Sequence, residues 1–211
     1  MDNREIRKYA KCACHLYGVV SMKELSRLIE HYTHEKVKST QLEKVFASRD
    51  ETNEELRYGQ GLIYSDIFFE TIKDASDFHK EYGQFKKYMP SLDMFLNYLP
   101  VAYVEQTEAL IALKKMLKEM LPEGELYDYL LDRTVENIVF GIQAEIPVEE
   151  ILEEVIEGLN DPELYFYHGG ITDEKQIRQL KTLLNNLKKQ TRRITLRGYN
   201  EIERQKLGQD D

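Results

Sequence analysis

Hydrophobic residues in the first fifty positions recur every three or four residues, which is the spacing of helices with one buried face. The first such run spans residues 4–17 and stops at a glycine, a residue able to end a helix. A second run begins after Ser21, and Ser21 with Glu24 has the spacing of a capping box. A third, shorter run follows a similar pair, Thr40 with Glu43. The pattern therefore predicts three helices.

The hydrophobic period changes after residue 55. Two short segments rich in branched and aromatic residues, 56–58 and 62–65, flank the break Gly59-Gln60-Gly61. This arrangement predicts a β-hairpin. Three helices followed by a hairpin is the element order of a winged helix-turn-helix, so residues 1–72 are predicted to form a winged-helix-like N-terminal domain.

Residues 73–211 return to helical spacing and predict an all-α second domain, with the boundary between Glu70 and Asp74. Residues able to start helices recur in this part, and they are Ser91, Pro147 and Thr172. The apolar runs that follow the helical period are 78–85, 94–98, 110–121, 126–141, 151–159 and 177–187. The predicted fold class is therefore mainly α.

Composition agrees with an ordered globular protein. The chain has 211 residues, of which 42% are hydrophobic and 32% charged, with five prolines. No apolar region follows the N-terminus, and no run approaches the roughly 18–20 apolar residues that span a bilayer. Cys12 and Cys14 point to different faces of a predicted helix, which is a poor geometry for a disulfide. We expect a cytoplasmic protein without a membrane partner.

Charge is segregated along the chain. Residues 73–170 carry 8 Lys and Arg against 20 Asp and Glu, and residues 51–72 carry 1 against 5. Residues 1–50 carry 10 against 7, and residues 171–211 carry 10 against 6. The overall charge of −9 thus belongs to the middle, and both ends are basic. Basic ends can meet phosphate or the acidic middle of their own chain, and both alternatives stay open.

The winged-helix order carries a hypothesis about DNA, because the third helix of such folds can enter the major groove while the hairpin touches the backbone. The candidate DNA-binding residues are Lys38, Gln41, Lys44, Ser48, Arg49 and, on the hairpin, Arg57. Glu43 and four further acids within residues 50–55 stand against this hypothesis, since they repel phosphate. The alternatives are a module that binds protein and a domain that is simply packed.

The last forty residues and an aromatic segment before them supply candidates for binding a partner. Residues 188–206 hold seven Lys and Arg around a short apolar pair. The candidate partner-binding residues are Tyr165, Tyr167, Arg192, Arg193 and Arg197. Two simpler interpretations are kept. The arginines can form ion pairs with the acidic middle of the chain, and the aromatic residues can belong to the core.

Catalytic and metal motifs are lacking in the sequence. It has no G-x-S-x-G elbow, phosphate-binding glycine loop or H-E-x-x-H helix. Cys12, Cys14 and His15 offer soft ligands, and His31 and His34 offer more, but no second cysteine pair completes a zinc site. The glutamates of 149–157 spread over a helix face opposite apolar residues, as in a solvated face. We expect no catalytic residue, no cofactor and no metal.

Short segments along nearly the whole chain carry a resemblance, and they are, in order, 16–20 leading into Leu25, 88–91 with 95–96 and Tyr98, 103–107, and a last segment from Gln176 through 185–186 and 191–192 to 198–201. Their order and spacing resemble a family of uncharacterised proteins from Gram-positive bacteria and their mobile elements, which often end in a zinc-binding SEC-C motif. The family has no activity that the resemblance could transfer. No cysteine follows Glu201, so the zinc site that names the motif is not expected in this chain.

Three functions follow from the sequence. The first is a non-enzymatic binding or regulatory protein acting through protein–protein interaction, which the acidic middle and the missing chemistry favour. The second is a winged-helix DNA-binding transcriptional regulator, which the element order of residues 1–72 favours. The third is an enzyme whose site is assembled from distant residues. A protein partner is thus expected first and a nucleic acid second.

Overall fold

The computed structural model describes residues 1–47, 55–101, 103–161 and 171–208. Within these residues the chain forms ten helices and one three-stranded antiparallel sheet, which confirms the prediction of a mainly helical protein. The chain divides into two compact units. Unit 1 consists of Met1–Tyr103 with Arg193–Tyr199, and unit 2 consists of Val104–Arg192 with Asn200–Asp211.

Unit 1 begins with three helices and three strands. In chain order its elements are α1 (Asn3–Tyr17), β1 (Val19–Ser21), α2 (Met22–Thr33), α3 (Ser39–Ala47), β2 (Leu56–Gly59), β3 (Leu62–Ser65), α4 (Ile72–Tyr82) and α5 (Leu92–Leu96). The strand order is β1-β3-β2, with Val19 opposite Tyr64 and Arg57 also opposite Tyr64. The hairpin β2–β3 confirms the predicted one, whereas β1 is an addition that the hydrophobic pattern did not indicate.

The turn between α1 and α2 contains a glycine that ends the first helix and a serine that caps the second. Gly18 ends α1 at φ 77°, and a Cβ there would lie 3.1 Å from Cε1 of Phe78. Ser21 then caps α2 as predicted. Its hydroxyl accepts from the Glu24 amide at 3.3 Å, and Oε2 of Glu24 accepts from the Ser21 amide at 2.7 Å. Both halves of a capping box are present, so two amides at the helix start are satisfied.

The core of unit 1 lies where α1, α2 and α3 meet. Its members include Ile6, Leu16, Leu25, Ile29 and Leu42, all of which are almost fully buried. A second, smaller cluster is formed by residues of the sheet and of α4, together with Ile194 from the late segment Arg193–Tyr199. Residues from both ends of the chain therefore contribute to this one unit.

The secondary structure of unit 2 consists of helices alone within its described residues. Its elements are α6 (Glu108–Lys118), α7 (Glu125–Gln143), α8 (Val148–Asn160), α9 (Glu174–Gln190) and α10 (Glu201–Leu207). Leu110 and Leu113 of α6 pack in one cluster with Leu180 and Leu184 of α9, and all four are fully buried. Helices α7 and α8 contribute Val135, Ile138 and Ile151, among others, to the same cluster.

Three predicted helix starts are wrong by one residue or more. Thr40 lies inside α3, and the carbonyl of Lys38 accepts the first helical hydrogen bonds instead. Asp173 rather than Thr172 caps α9, accepting from the Lys175 amide at 3.0 Å. Pro147 occupies the cap position of α8 and not its first turn. Apolar periodicity predicts the body of each helix, whereas the first residue of a helix is defined only to within one or two positions.

The two compact units have different boundaries from the predicted domains 1–72 and 73–211. Helices α4 and α5 belong to unit 1, because α4 packs on the sheet and Phe95 of α5 lies in the core with α1 and α2. Residues 193–199 belong to unit 1 as well. Among the described residues, no helix is both long and apolar enough to cross a bilayer.

Candidate functional site

Helix α3 presents a polar outer surface, which we call the α3 face. It consists of Lys38, which directly precedes the helix, and of the exposed helical residues Ser39, Thr40, Gln41, Glu43, Lys44 and Ala47. The opposite side of the helix carries Leu42 and Val45, which are buried in the core of unit 1. Helical periodicity thus fixes which residues are presented, and Lys38, Gln41 and Lys44 are exposed as the sequence predicts.

The chemistry of the α3 face is that of hydrogen bonding and positive charge. Lys38 and Lys44 form no ion pair among the residues that the structure describes. Gln41 offers both a donor and an acceptor at its amide. The described part of α3 exposes no large apolar side chain. Glu43 is the carboxylate on this face, and it weakens the positive potential there.

The hairpin beside α3 ends in a tight turn. Gly59 pairs with Leu62, which leaves Gln60 and Gly61 as the two turn residues, and both have positive φ, 51° and 76°. This is the geometry of a two-residue hairpin turn with the native strand twist. Arg57, predicted to touch DNA, is half-exposed and forms an ion pair with Asp66 at 2.5 Å.

Two further predicted residues, Ser48 and Arg49, lie outside the described residues. The structure adds two cations that the sequence interpretation missed. Lys23 and Arg27 are exposed on α2 and form no ion pair within the described chain. They stand at i and i+4, so they share one helix face. Lys23 and Arg27 lie two positions before and two positions after Leu25 in the sequence. Because Leu25 was predicted to be buried, helical spacing would have placed both cations on the exposed side of α2.

A cluster of ionisable side chains lies behind the start of α2, and we call it the Glu24 cluster. It consists of Glu24, His79, Lys87 and Arg197. The Glu24 carboxylate accepts from Lys87, lies 3.1 Å from Nε2 of His79 and accepts from Nη2 of Arg197 at 3.0 Å. All four residues belong to unit 1, although Arg197 comes from its late segment.

Arg197 is fully buried and held mainly by its own unit's backbone. Its Nη1 donates to the carbonyls of Tyr17 and Val19, each at 2.8 Å. These carbonyls flank Gly18, so the guanidinium fixes the turn between α1 and β1. The backbone of Arg197 has φ 52°, and Gly198 follows at φ 82°. A Cβ on Gly198 would lie 3.0 Å from Leu16, which explains a glycine there.

The electrostatics of the Glu24 cluster favour the ionised form of the Glu24 carboxylate. Burial raises the pKa of Glu24, but hydrogen bonds from His79, Lys87 and the Ser21 backbone outweigh burial and hold that pKa well below its usual range. Burial lowers the pKa of Lys87, and the charge of Arg197 lowers it further. Every group in the cluster has an internal partner, so the arrangement is suited to stabilising unit 1.

Two of the three predicted partner-binding arginines, Arg192 and Arg197, are buried. Arg192 is 8% exposed, and its guanidinium binds Glu105 through Nε at 2.7 Å and both oxygens of Glu203. Arg197 is buried in the Glu24 cluster, and Arg193 is half-buried. Arg192 and Arg197 thus form internal ion pairs, but of their partners Glu105 belongs to the acidic middle of the chain, whereas Glu24 and Glu203 belong to the two basic ends. Tyr165 and Tyr167 lie outside the described residues.

The two cysteines are buried free thiols of α1. Burial raises the pKa of Cys12 to about 12 and that of Cys14 further, which disfavours the reactive thiolate. Within the described chain, no group of three or more His, Cys, Asp or Glu side chains is placed to hold a metal ion.

No family model, curated protein or solved structure matches this chain. The resemblance to the family with the SEC-C motif therefore remains an expectation from the sequence. A fold alone does not establish a function, which depends on the residues that the surfaces present.

Proposed function

We propose that the protein is a non-enzymatic regulatory protein whose unit 1 is a winged-helix-like module that binds DNA through the α3 face. The element order α1-β1-α2-α3-β2-β3 and the strand order β1-β3-β2 support the winged-helix assignment. In such modules the third helix enters the major groove and the hairpin lies against the backbone.

The observation that carries this proposal is the polarity of the α3 face. A helix that docks on protein presents an apolar stripe, whereas the described part of α3 exposes only small and polar residues. Lys38 and Lys44 have no carboxylate partner among the described residues. Charges without an internal partner are available to phosphate.

Each residue has a distinct role in the proposed complex. Lys38 and Lys44 neutralise phosphates, and Lys23 with Arg27 on α2 extends the contact along the backbone. Gln41 is placed on the presented helix, and a glutamine amide can read the edge of adenine with two hydrogen bonds. Arg57 contributes less than the sequence predicts, because Asp66 already neutralises its charge.

The test measures binding of the full chain to random duplex DNA by fluorescence anisotropy at several salt concentrations. The variant Lys38→Ala/Lys44→Ala should weaken binding and reduce the slope of log K against log salt by about 2, since each lysine that neutralises a phosphate contributes about 1. A variant with the same charge change on α9 of unit 2, Lys175→Ala/Lys189→Ala, is the matched control because both lysines are exposed.

The control variant should bind DNA as the unmodified chain does. Equal losses in both double variants would mean that the α3 face has no special role. Absence of salt-sensitive binding at low ionic strength would remove the DNA-binding function altogether, because the phosphate term underlies nearly all binding to duplex DNA.

A further inference from the structure

A cleft between α7 and α8 of unit 2 has no role in the function proposed above. It encloses about 350 Å³, within the range of sites that bind ligands and peptide side chains. Its lining is mixed: Phe140, Ile151 and Val155 are among its apolar residues, and Asn137 and Glu154 are among its polar ones. We call this site the α7–α8 cleft.

Gly141 of α7 and Ile151 of α8 lie close together at one end of the cleft. A Cβ at Gly141 would lie 3.2 Å from Cδ1 of Ile151, so the Ile151 side chain would have to shift by a few tenths of an ångström. Gly158 of α8 also lines the cleft. Glycine inside a helix is destabilising relative to alanine, and both glycines that line the cleft lie inside helices.

The apolar surface continues from the cleft along α7. Leu126 and Leu130 precede Thr134 at helical spacing, so they share the helix face that borders the cleft. Leu126 is 63% exposed, and Leu130 is half-buried. Tyr129, in the next row, is 61% exposed. Together these residues give a strip long enough to contact more than one turn of a bound helix.

Carboxylates follow the other side of the cleft. Glu150, Glu154 and Glu157 stand at i, i+4 and i+7 on α8, which places them in one row beside Ile151 and Val155. None of the three forms an ion pair among the described residues. Unit 2 as a whole has 12 Lys and Arg against 22 Asp and Glu. The apolar cleft is therefore bordered by uncompensated negative charge.

We propose that the α7–α8 cleft binds a basic amphipathic helix of a partner protein. Apolar side chains of that helix fill the cleft and contact Leu126, while its lysines and arginines lie over Glu150, Glu154 and Glu157. The occupant must be basic, since each acidic residue of a partner would face the unpaired carboxylates of α8. This is the helix-in-groove mode of recognition. The proposal is independent of DNA binding by unit 1.

The experiment uses the full chain and a fluorescent peptide of about 18 residues in which leucines occupy one helix face and lysines the other, a length that supports a helix when bound. A peptide of the same pattern with glutamate in place of lysine is the control probe. Anisotropy should show saturable binding of the basic peptide that weakens with salt, and no binding of the acidic peptide.

Two variants localise the peptide. Glu150→Gln/Glu154→Gln/Glu157→Gln should weaken binding about tenfold, because three attractive charges at the rim are lost. Glu108→Gln/Glu119→Gln/Glu123→Gln is the matched control, since these exposed acids of unit 2 lie outside the cleft lining. Asn137→Trp should abolish binding by filling the cleft, with the thermal midpoint and circular dichroism unchanged because Asn137 is exposed.

Three results would overturn the proposal. One is no binding of the basic peptide, and another is equal binding by the two triple variants. The third is self-association of the unmodified chain, seen in sedimentation, that Asn137→Trp abolishes, because the occupant would then be a second copy of this chain.

Discussion

At the scale of single residues, Arg197 carries more of unit 1 than its position near the end of the sequence indicates. Its guanidinium is the donor to the carbonyls of Tyr17 and Val19 and one of the cations around Glu24. Its Nε forms no hydrogen bond among the described residues. Burial lowers the pKa of Arg197, while the Glu24 charge raises it. The net effect of a buried arginine on protein stability depends on whether the charge and its hydrogen-bonding groups have partners.

We expect Arg197→Met to destabilise the protein by about 3 kcal/mol, because two buried carbonyls lose their donor and the Glu24 carboxylate loses one cation. Urea unfolding followed by circular dichroism measures the effect as a lower midpoint. Arg178→Met on α9 is the control, since Arg178 is exposed and its pair with Glu174 is a surface pair. Equal midpoints for the two variants would contradict a structural role for Arg197.

His15 gives a prediction about pH. Its Nδ1 lies 2.8 Å from the carbonyl oxygen of Tyr98, so Nδ1 carries the proton of the neutral ring. Burial lowers the pKa of His15 below its ordinary value. The unfolded chain binds this proton near pH 6.5, whereas the folded chain resists it. The contribution of His15 to stability is therefore present above that pH and is lost as the pH falls.

The thermal midpoint should decrease as the pH is lowered from about 7.5 to about 5.5, a range that includes the pKa of histidine in an unfolded chain. The variant His15→Asn should show a smaller fall over the same window. His34→Asn is the matched control, because His34 is exposed and its φ of 62° suits asparagine. A fall in His15→Asn as large as in the unmodified chain would assign the pH dependence to other groups.

At the scale of elements, the start of α2 combines two functions of one carboxylate. Glu24 completes the capping box with Ser21 and at the same time anchors Lys87 and Arg197. The capping box could be predicted from the sequence as S-x-x-E before an apolar run. The ion pairs of Glu24 could not be predicted, because His79, Lys87 and Arg197 lie 55, 63 and 173 positions away.

Replacing Ser21 by alanine should cost about 1 kcal/mol, the usual effect of removing an N-cap side chain. The Glu24 amide would lose its acceptor, and the Glu24 carboxylate would lose the Ser21 hydroxyl as a donor. Chemical denaturation gives the difference directly. Ser39→Ala should change stability by less than about 0.5 kcal/mol, since Ser39 is an exposed residue within α3. A reversed order of the two effects would refute the capping interpretation.

The sequence predicted elements that are specified locally and missed those that depend on distant partners. Helices α1 to α3 and the hairpin follow from apolar periodicity, caps and turn residues within each segment. Strand β1 has three residues, and its pairing partner β3 lies more than forty positions later. Helix α10 has no buried residue, so it leaves no apolar period to detect. The α3 face was predicted because helical spacing fixes exposure.

At the scale of the whole molecule, the chain contributes to its two units in an interleaved order. It forms unit 1 up to Tyr103, then most of unit 2, then returns with Arg193–Tyr199 before ending in unit 2. The returning segment supplies Ile194 to the cluster on the sheet and Arg197 to the Glu24 cluster. Tyr199 also donates from its hydroxyl to the carbonyl of Lys87 at 3.3 Å. Charge segregation along the sequence gave no indication of this order.

We therefore expect truncation at the C-terminus to destabilise the N-terminal elements. A chain ending at Arg192 lacks the seven residues 193–199 that a chain ending at Tyr199 retains, and both lack α10. Amide hydrogen exchange in α1, β1 and α2 should be faster in the shorter chain, because the carbonyls of Tyr17 and Val19 lose the Arg197 guanidinium.

Comparison of these two truncated chains isolates the returning segment, since loss of α10 affects both equally. Exchange in α6, within unit 2, serves as the internal reference and should be the same in both chains. If α1, β1 and α2 exchange at the same rates in both chains, residues 193–199 add nothing to unit 1. Faster exchange confined to α1, β1 and α2 in the chain that ends at Arg192 would show that the stability of unit 1 depends on residues 193–199.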